Sequence, residues 1–195
     1  MYKDKELTIR PAVQRDLEKM WELIFKEEAP DWKKWDAPYF PHDAMTYEAF
    51  LKGSSKYMEQ NDFWVITIND IVCGIVSYYF EDSQSVWLEV GIVIHEGQNW
   101  NKGIGTRALK LWVDHIFNTL PQVRVGLTTW SGNERMIRVA EKIGMQLEAR
   151  IRKVRLYEGN YYDSIRMGIL REEWETSKAL DTIKSFNGQD FLMKG

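Results

Sequence analysis

Two hydrophobic periods take turns along the chain, one of two residues and one of three to four, and each change of period predicts a change of element. Glu6–Arg10 alternates as a short strand stopped by Pro11. Gln14–Lys26 places Leu17, Met20, Trp21, Ile24 and Phe25 on one helical stripe. Glu27–Asp43 (EEAPDWKKWDAPYFPHD) is broken by prolines and reads as an irregular loop. Thr46–Glu59 predicts a helix with Thr46 as its cap. Asp62–Ile68 and Ile71–Phe80 read as strands joined at Asn69-Asp70, and Val86–Ile94 as another strand. Ile104–Phe117 repeats Ile104, Ala108, Leu111, Trp112, His115 and Ile116 along a helix face. Val123–Thr129 predicts a strand and Asn133–Ile143 a helix ended by Gly144. Gln146–Tyr157 and Tyr161–Leu170 form a long hairpin, and Glu172–Ile183 a closing helix. The order predicts an α/β fold: a mixed, mainly antiparallel sheet with helices on its faces, in a single domain of 195 residues.

Composition narrows the function classes. A formal net charge of −3 gives no electrostatic pull toward nucleic acid or anionic membranes. No apolar run approaches the ~20 residues that span a bilayer, and MYKDKELTIRP lacks the apolar core of a signal peptide. The single cysteine, Cys73, excludes an intramolecular disulfide and fits a reducing cytoplasm; lying in an apolar strand, it reads as core rather than nucleophile. His42, His95 and His115 lack metal-ligand spacing, so no metal is expected.

The informative stretch is HEGQNWNKGIGTRALKLWVDHIF, from His95 to Phe117. A strand precedes it, and Gly103 and Gly105 lead into the amphipathic helix. Converging backbone N–H groups at such a helix N-terminus favour an anion, and glycines allow its close approach. GIGTRA fits the loose dinucleotide pattern, but eight residues, His95–Lys102, separate strand from glycines. The next strand also ends without an acidic residue, so a nicotinamide oxidoreductase is disfavoured. A Walker phosphate loop fails because no Gly-Lys-Ser/Thr follows. A helix-entry loop without a ligand stays open at this level.

Four segments in order resemble the GNAT N-acetyltransferases. Trp100-Asn101-Lys102-Gly103-Ile104-Gly105 resembles that family's Gln/Arg-x-x-Gly-x-Gly/Ala pyrophosphate loop, with Trp100 at the first position. LTIRPAVQRDLEKM (Leu7–Met20), NERMIRVAEKIGM (Asn133–Met145) and YYDSIRMGILREEWE (Tyr161–Glu175) are similar to its first strand and helix, its asparagine-headed helix and its closing strand. The likeness covers about residues 6–175 and leans toward the branch that acetylates ribosomal-protein N-termini; the loop at 27–43 and the helical extension at about 176–195 lie outside it. It implies the family fold, in which Val86–Ile94 splays from Val123–Thr129. It also implies acetyl-CoA as cosubstrate. Pantetheine would add as a strand along Ile92, Val93 and Ile94, and the pyrophosphate would lie against Trp100, Asn101, Lys102, Gly103, Ile104, Gly105 and Thr106, with Asn133 nearby. Lys102 reads equally as a solvated loop lysine.

The implied reaction is attack of a primary amine on the thioester in a ternary complex. Glu89, a carboxylate in an apolar strand, resembles the family's base; a salt-bridged structural role stays open beside it. The backbone N–H near Val93 is the implied oxyanion donor. The chain departs from the family at Ala140 and Met136, where a tyrosine and a serine serve relatives as general acid. Water held by Asn133, or Tyr157, Tyr161 or Tyr162, is then expected to take that role. The acceptor amine stays open between a small molecule and a protein N-terminus, as does a homodimer. The loop carries Asp31 and Asp36 among Trp32, Trp35, Tyr39 and Phe40, which suits an organic cation or simply caps the core. A non-catalytic acyl-CoA-binding regulator on the same fold is the alternative function.

Overall fold

The computed structural model describes residues 1–58, 60–82 and 87–180. Eight strands form one sheet in the order β1-β2-β3-β4-β5-β6-β8-β7. They are β1 (Tyr2–Asp4), β2 (Leu7–Pro11), β3 (Phe63–Ile68), β4 (Ile71–Phe80), β5 (Leu88–Ile94), β6 (Arg124–Trp130), β7 (Gln146–Tyr157) and β8 (Asn160–Leu170). Every pairing of neighbours is antiparallel except β5 with β6. The helices are α1 (Leu17–Ile24), α2 (Tyr47–Lys52), α3 (Ile104–Thr119) and α4 (Glu134–Lys142), with a closing helix α5 over 171–180.

Helices cover both faces of the sheet, as the alternation of periods requires. On one face α3 buries Ile104, Ala108, Leu109, Trp112, Val113 and Ile116 against Ile9, Ile66, Val76, Leu88 and Leu127. Trp112 is fully buried, and its indole nitrogen donates to the Ser77 carbonyl at 2.9 Å, so its polar atom is not stranded. Trp174 of α5 joins this core. On the other face Leu17 and Met20 of α1 and Phe50 of α2 pack on Val65 and Val72.

The departures from the sequence reading are local. The helix expected over Thr46–Glu59 is shorter: Thr46 caps α2 as foreseen, accepting from the Ala49 N–H at 3.2 Å, but Gly53 ends it and a 3-10 turn follows at Ser54–Tyr57. Strand β1 was not foreseen, being three residues without a clear period. The loop at 27–43 contains a 3-10 turn at Asp31–Lys34. Of the expected final helix, residues 181–183 lie outside the described residues, as does the rest of the expected extension to 195.

A buried ion pair fixes the entry to α1. Arg10 of β2 forks onto Asp16, Nη1 to Oδ2 at 2.6 Å and Nη2 to Oδ1 at 2.8 Å, and the Val13 N–H donates to the same carboxylate at 2.8 Å. Burial works to raise the Asp16 carboxyl, but the hydrogen bonds from Arg10 and Val13 prevail and hold it below the usual aspartate value. A depressed folded-state value stabilises the fold above the unfolded-state value near ~3.9 and is lost as pH falls through the folded one. Asp16→Asn should therefore lower stability at pH 7 by about 3 kcal/mol in urea unfolding, and the gap to wild type should close as the pH is taken below ~3.9.

Candidate active site

The site begins where a ladder stops. Strands β5 and β6 pair only at Leu88↔Val125 and Glu89↔Gly126. Beyond that point β5 continues along β4 to Gly74↔Ile94, while β6 continues along β8 to Trp130↔Ser164. The inner edge of β5 from Val90 onward faces a gap rather than a partner strand. A cleft of about 620 Å³ fills the gap. It is lined by Ile92, Val93 and Ile94, by Trp100, Asn101, Gly103, Ile104, Gly105 and Thr106, and by Asn133. These are the residues expected to hold the cofactor, with Lys102 the exception: it is exposed and outside the lining.

The glycine loop takes its shape from two left-handed residues. Asn101 has φ 61° and Gly103, the residue before α3, has φ 76°. The turn lets the Gly103 carbonyl accept from the Arg107 N–H at 3.1 Å and leaves the first N–H groups of α3 pointing into the loop. A side chain at Gly105 would meet only Val139 Cγ2, at 3.8 Å, so the packing around it does not require a glycine. Trp100 turns its indole back to the strand, donating from Nε1 to the Ile94 carbonyl at 2.7 Å. That carbonyl is thereby already engaged.

The second wall comes from the aromatic loop. The Trp35 carbonyl accepts from Trp130 Nε1 and from Asn133 Nδ2, both at 2.9 Å. Asn133 also caps α4, its Oδ1 accepting from the Met136 N–H at 3.0 Å. Its amide is thus committed to the helix and the loop. The Arg135 guanidinium lies between two indoles, 4.2 Å from the Trp35 centroid and 4.8 Å from that of Trp100. Asp36 lines the cleft with Trp32 and Trp35. Its side chain keeps solvent access, yet the crowding of the cleft holds its carboxyl above the usual value, with Lys33 opposing. Asp31 points away and pairs with Lys34 at 2.9 Å. The two aspartates that the sequence grouped together are therefore separated.

Glu89 sits at the root of the gap, with 0% of its surface exposed. Its Oε1 accepts from Trp87 Nε1 at 2.7 Å and Arg124 Nη1 at 3.3 Å, and its Oε2 from the Thr128 hydroxyl at 3.0 Å. Arg124 is held in turn by Glu148 of β7, 3.0 Å from its Nε. The Arg124 side chain crosses Gly126, where an added Cβ would meet the guanidinium and lie 2.5 Å from Glu89 Oε1, so a larger residue would have to push this pair aside. Thr128 and Arg124 are parts of the site that the sequence reading missed. The available signal was the alternation in RVGLTTW, which puts Arg124, Gly126 and Thr128 on one face of β6.

Cys73, His95, Ala140 and the three hairpin tyrosines lie outside the cleft lining. Cys73 is buried, and burial pushes its thiol up to about 12. His95 is buried against Trp32, and burial lowers it to about 3, so it stays neutral. Ala140 is fully buried, while Met136 lines the cleft without a proton to give. None of Tyr157, Tyr161 and Tyr162 is among the lining residues; Tyr161 is 64% exposed and Tyr162 packs edge-on against Trp130. Among the described residues no group of three or more His, Cys, Asp or Glu is placed to hold a metal, and no helix is long and apolar enough to cross a membrane.

Comparison with known proteins agrees with this geometry. Residues 6–146 match the acetyltransferase (GNAT) domain family. A candidate ribosomal N-acetyltransferase of Bacillus subtilis, YdaF, is 27% identical over 90% of this chain and 97% of its own length. The spermidine N(1)-acetyltransferase of Escherichia coli K12 is 32% identical over 66% of this chain and 71% of its own. The fold is also that of the spermidine N-acetyltransferase of Vibrio cholerae solved with CoA and spermine, with TM-score 0.70 at 18% identity, covering 88% of this chain and 99% of that one.

Proposed function

The chain belongs to the GNAT acetyltransferase family, and we propose that it is an acetyl-CoA-dependent N-acetyltransferase acting on a primary amine by direct attack in a ternary complex. The observation that carries the reading is the continuity of the cleft: it runs from the glycine loop, along the unpaired edge of β5, to Asp36 and the tryptophans of the aromatic loop. An amide-bearing pantetheine arm adds to a free strand edge by backbone hydrogen bonds, and its pyrophosphate suits the N–H groups at the start of α3. The His95 N–H donates to the Cys73 carbonyl across β4, so by register Val90, Ile92 and Ile94 turn their N–H groups to the gap. One of these beside Val93 serves the thioester oxygen as negative charge develops there. Glu89 receives the proton that the ammonium must lose. The buried, protonated Cys73 supports direct transfer over an acyl-enzyme. A CoA thiol resembles a cysteine thiol, with a pKa of roughly 8.5, so its thiolate leaves without a strong acid. That chemistry suits a cleft with Met136 where relatives carry a donor.

The test is a melting-temperature comparison with acetyl-CoA, CoA and NAD, followed by mass spectrometry of products from spermidine, cadaverine and an alanine-initiated peptide. Acetyl-CoA and CoA should stabilise the protein by about 2.7 kcal/mol at 100 times Kd, NAD should not, and one class of amine should gain an acetyl group. Binding without any acetylated product would favour the acyl-CoA-binding regulator. Gly105→Val should fold normally, given the space beside Gly105, yet weaken CoA binding by at least about tenfold, a loss of ~1.4 kcal/mol. Normal CoA affinity in that variant would remove the cradle from this loop.

The relatives named for spermidine acetylation, together with Asp36, favour a cationic acceptor. Asp36→Asn should raise the acceptor KM by about tenfold and leave the acetyl-CoA KM unchanged. In wild type the acceptor KM should rise as the pH falls through the raised Asp36 value, where the carboxylate becomes neutral, and this dependence should vanish in the Asn variant.

A further inference from the structure

A base must reach the amine whose proton it takes, and Glu89 does not reach the cleft. Its carboxylate is wholly buried and absent from the cleft lining. Three donors surround it, and two of them, Trp87 Nε1 and Arg124 Nη1, share Oε1. Among the described residues Oε2 receives the hydroxyl of Thr128 alone, at 3.0 Å. Thr128 does line the cleft. It lies two residues beyond Gly126, the last position at which β5 and β6 pair, and so stands at the mouth of the splay.

The direction of this hydrogen bond is fixed by chemistry. An ionised carboxylate can only accept, so the hydroxyl proton of Thr128 points at Glu89. With its one proton so placed, Thr128 Oγ1 presents only lone pairs to the cleft. Glu89 thus makes a hydroxyl that would otherwise rotate between donating and accepting into a fixed acceptor. The complementary ligand group is an N–H. Arg124, gripped by Glu148 and lying over Gly126, holds Glu89 in place from the other side.

We infer that Thr128 is the catalytic residue that meets the acceptor amine, and that Glu89 acts through it. The inference rests on the N-acetyltransferase reading above. The acceptor ammonium donates an N–H to Thr128 Oγ1; that proton moves to Oγ1 as the Thr128 hydroxyl proton moves to Glu89 Oε2. The freed nitrogen lone pair attacks the thioester carbon. The carbon–sulfur bond then breaks, and its electron pair leaves with the CoA thiolate. The adduct nitrogen gives its second proton to the departing thiolate, leaving a neutral amide and CoA thiol. Glu89 returns its proton through Thr128 to water, restoring the carboxylate and the starting hydroxyl. No oxidant, metal or covalent enzyme intermediate enters the balance.

The test compares Thr128→Val, Thr128→Ser and Glu89→Gln in the full chain, singly and combined, with acetyl-CoA and whichever of spermidine, cadaverine or the alanine-initiated peptide wild type acetylates. Thr128→Val should lower kcat by about 10²-fold with the acetyl-CoA Kd unchanged, and the loss should shrink as rising pH supplies free amine. Thr128→Ser should stay within about threefold of wild type, and adding Glu89→Gln to Thr128→Val should cost little more than Thr128→Val alone, as expected for residues acting as one unit. Should Thr128→Val melt below the assay temperature, Thr128→Ala replaces it under the same criteria. Three results overturn the inference: kcat near wild type in the valine variant, a serine variant as impaired as the valine one, or a fall in kcat matched by an equal weakening of acetyl-CoA. If wild type binds acetyl-CoA but acetylates none of the three amines, the acetyl-transfer reading fails and the relay fails with it.

Discussion

The functional architecture depends on the failure of two strands to stay together. Each of β5 and β6 is zipped along its outer edge to another strand, β5 to β4 from Phe80↔Leu88 to Gly74↔Ile94 and β6 to β8 along its whole length. Each therefore follows the twist of its own half-sheet. After Glu89↔Gly126 the two halves diverge, and the backbone groups facing the gap lose their partner strand. Unpaired N–H and C=O groups are costly when dry and useful when a ligand can satisfy them. The cleft, its free strand edge and its two walls all follow from that single interruption.

Where the ladder ends, side-chain electrostatics takes over. Glu148 of β7, Arg124 of β6 and Glu89 of β5 form a chain of alternating charge across the root of the splay. A carboxylate with no solvent exposure would be severely destabilising alone; three donors, one of them cationic, make it tolerable. The same arrangement narrows what Glu89 can do. It is too enclosed to meet a substrate, and its influence passes through the neighbour that is not enclosed.

Much of this was legible in the sequence because its physics is local. Helical stripes, alternating strands and the turn at Asn69-Asp70 appear close to where they were expected, and the glycine loop lies at the head of α3. The family likeness supplied the splay, which no period reveals, because it depends on which strands become neighbours. The long-range contacts were not legible. Nothing in the spacing separates Asp31, paired with Lys34 at the surface, from Asp36, which turns into the cleft. Nothing in it assigns the Asn133 amide to a carbonyl 98 positions away. Glu89 could be singled out as a charge in an apolar strand, but its partners come from β6 and from Trp87, so its isolation from the cleft required three dimensions.

The tether of the aromatic loop has a consequence for how this protein can diverge. The atom that receives both Trp130 and Asn133 is the backbone oxygen of Trp35, which every amino acid possesses. A change of side chain at position 35, or at its neighbours, leaves that oxygen in place. An insertion or deletion between Pro30 and Trp35 displaces it. Descendants of this chain are therefore free to exchange the chemistry that faces an acceptor while keeping the wall that carries it, and selection on this segment should guard its length more closely than its letters.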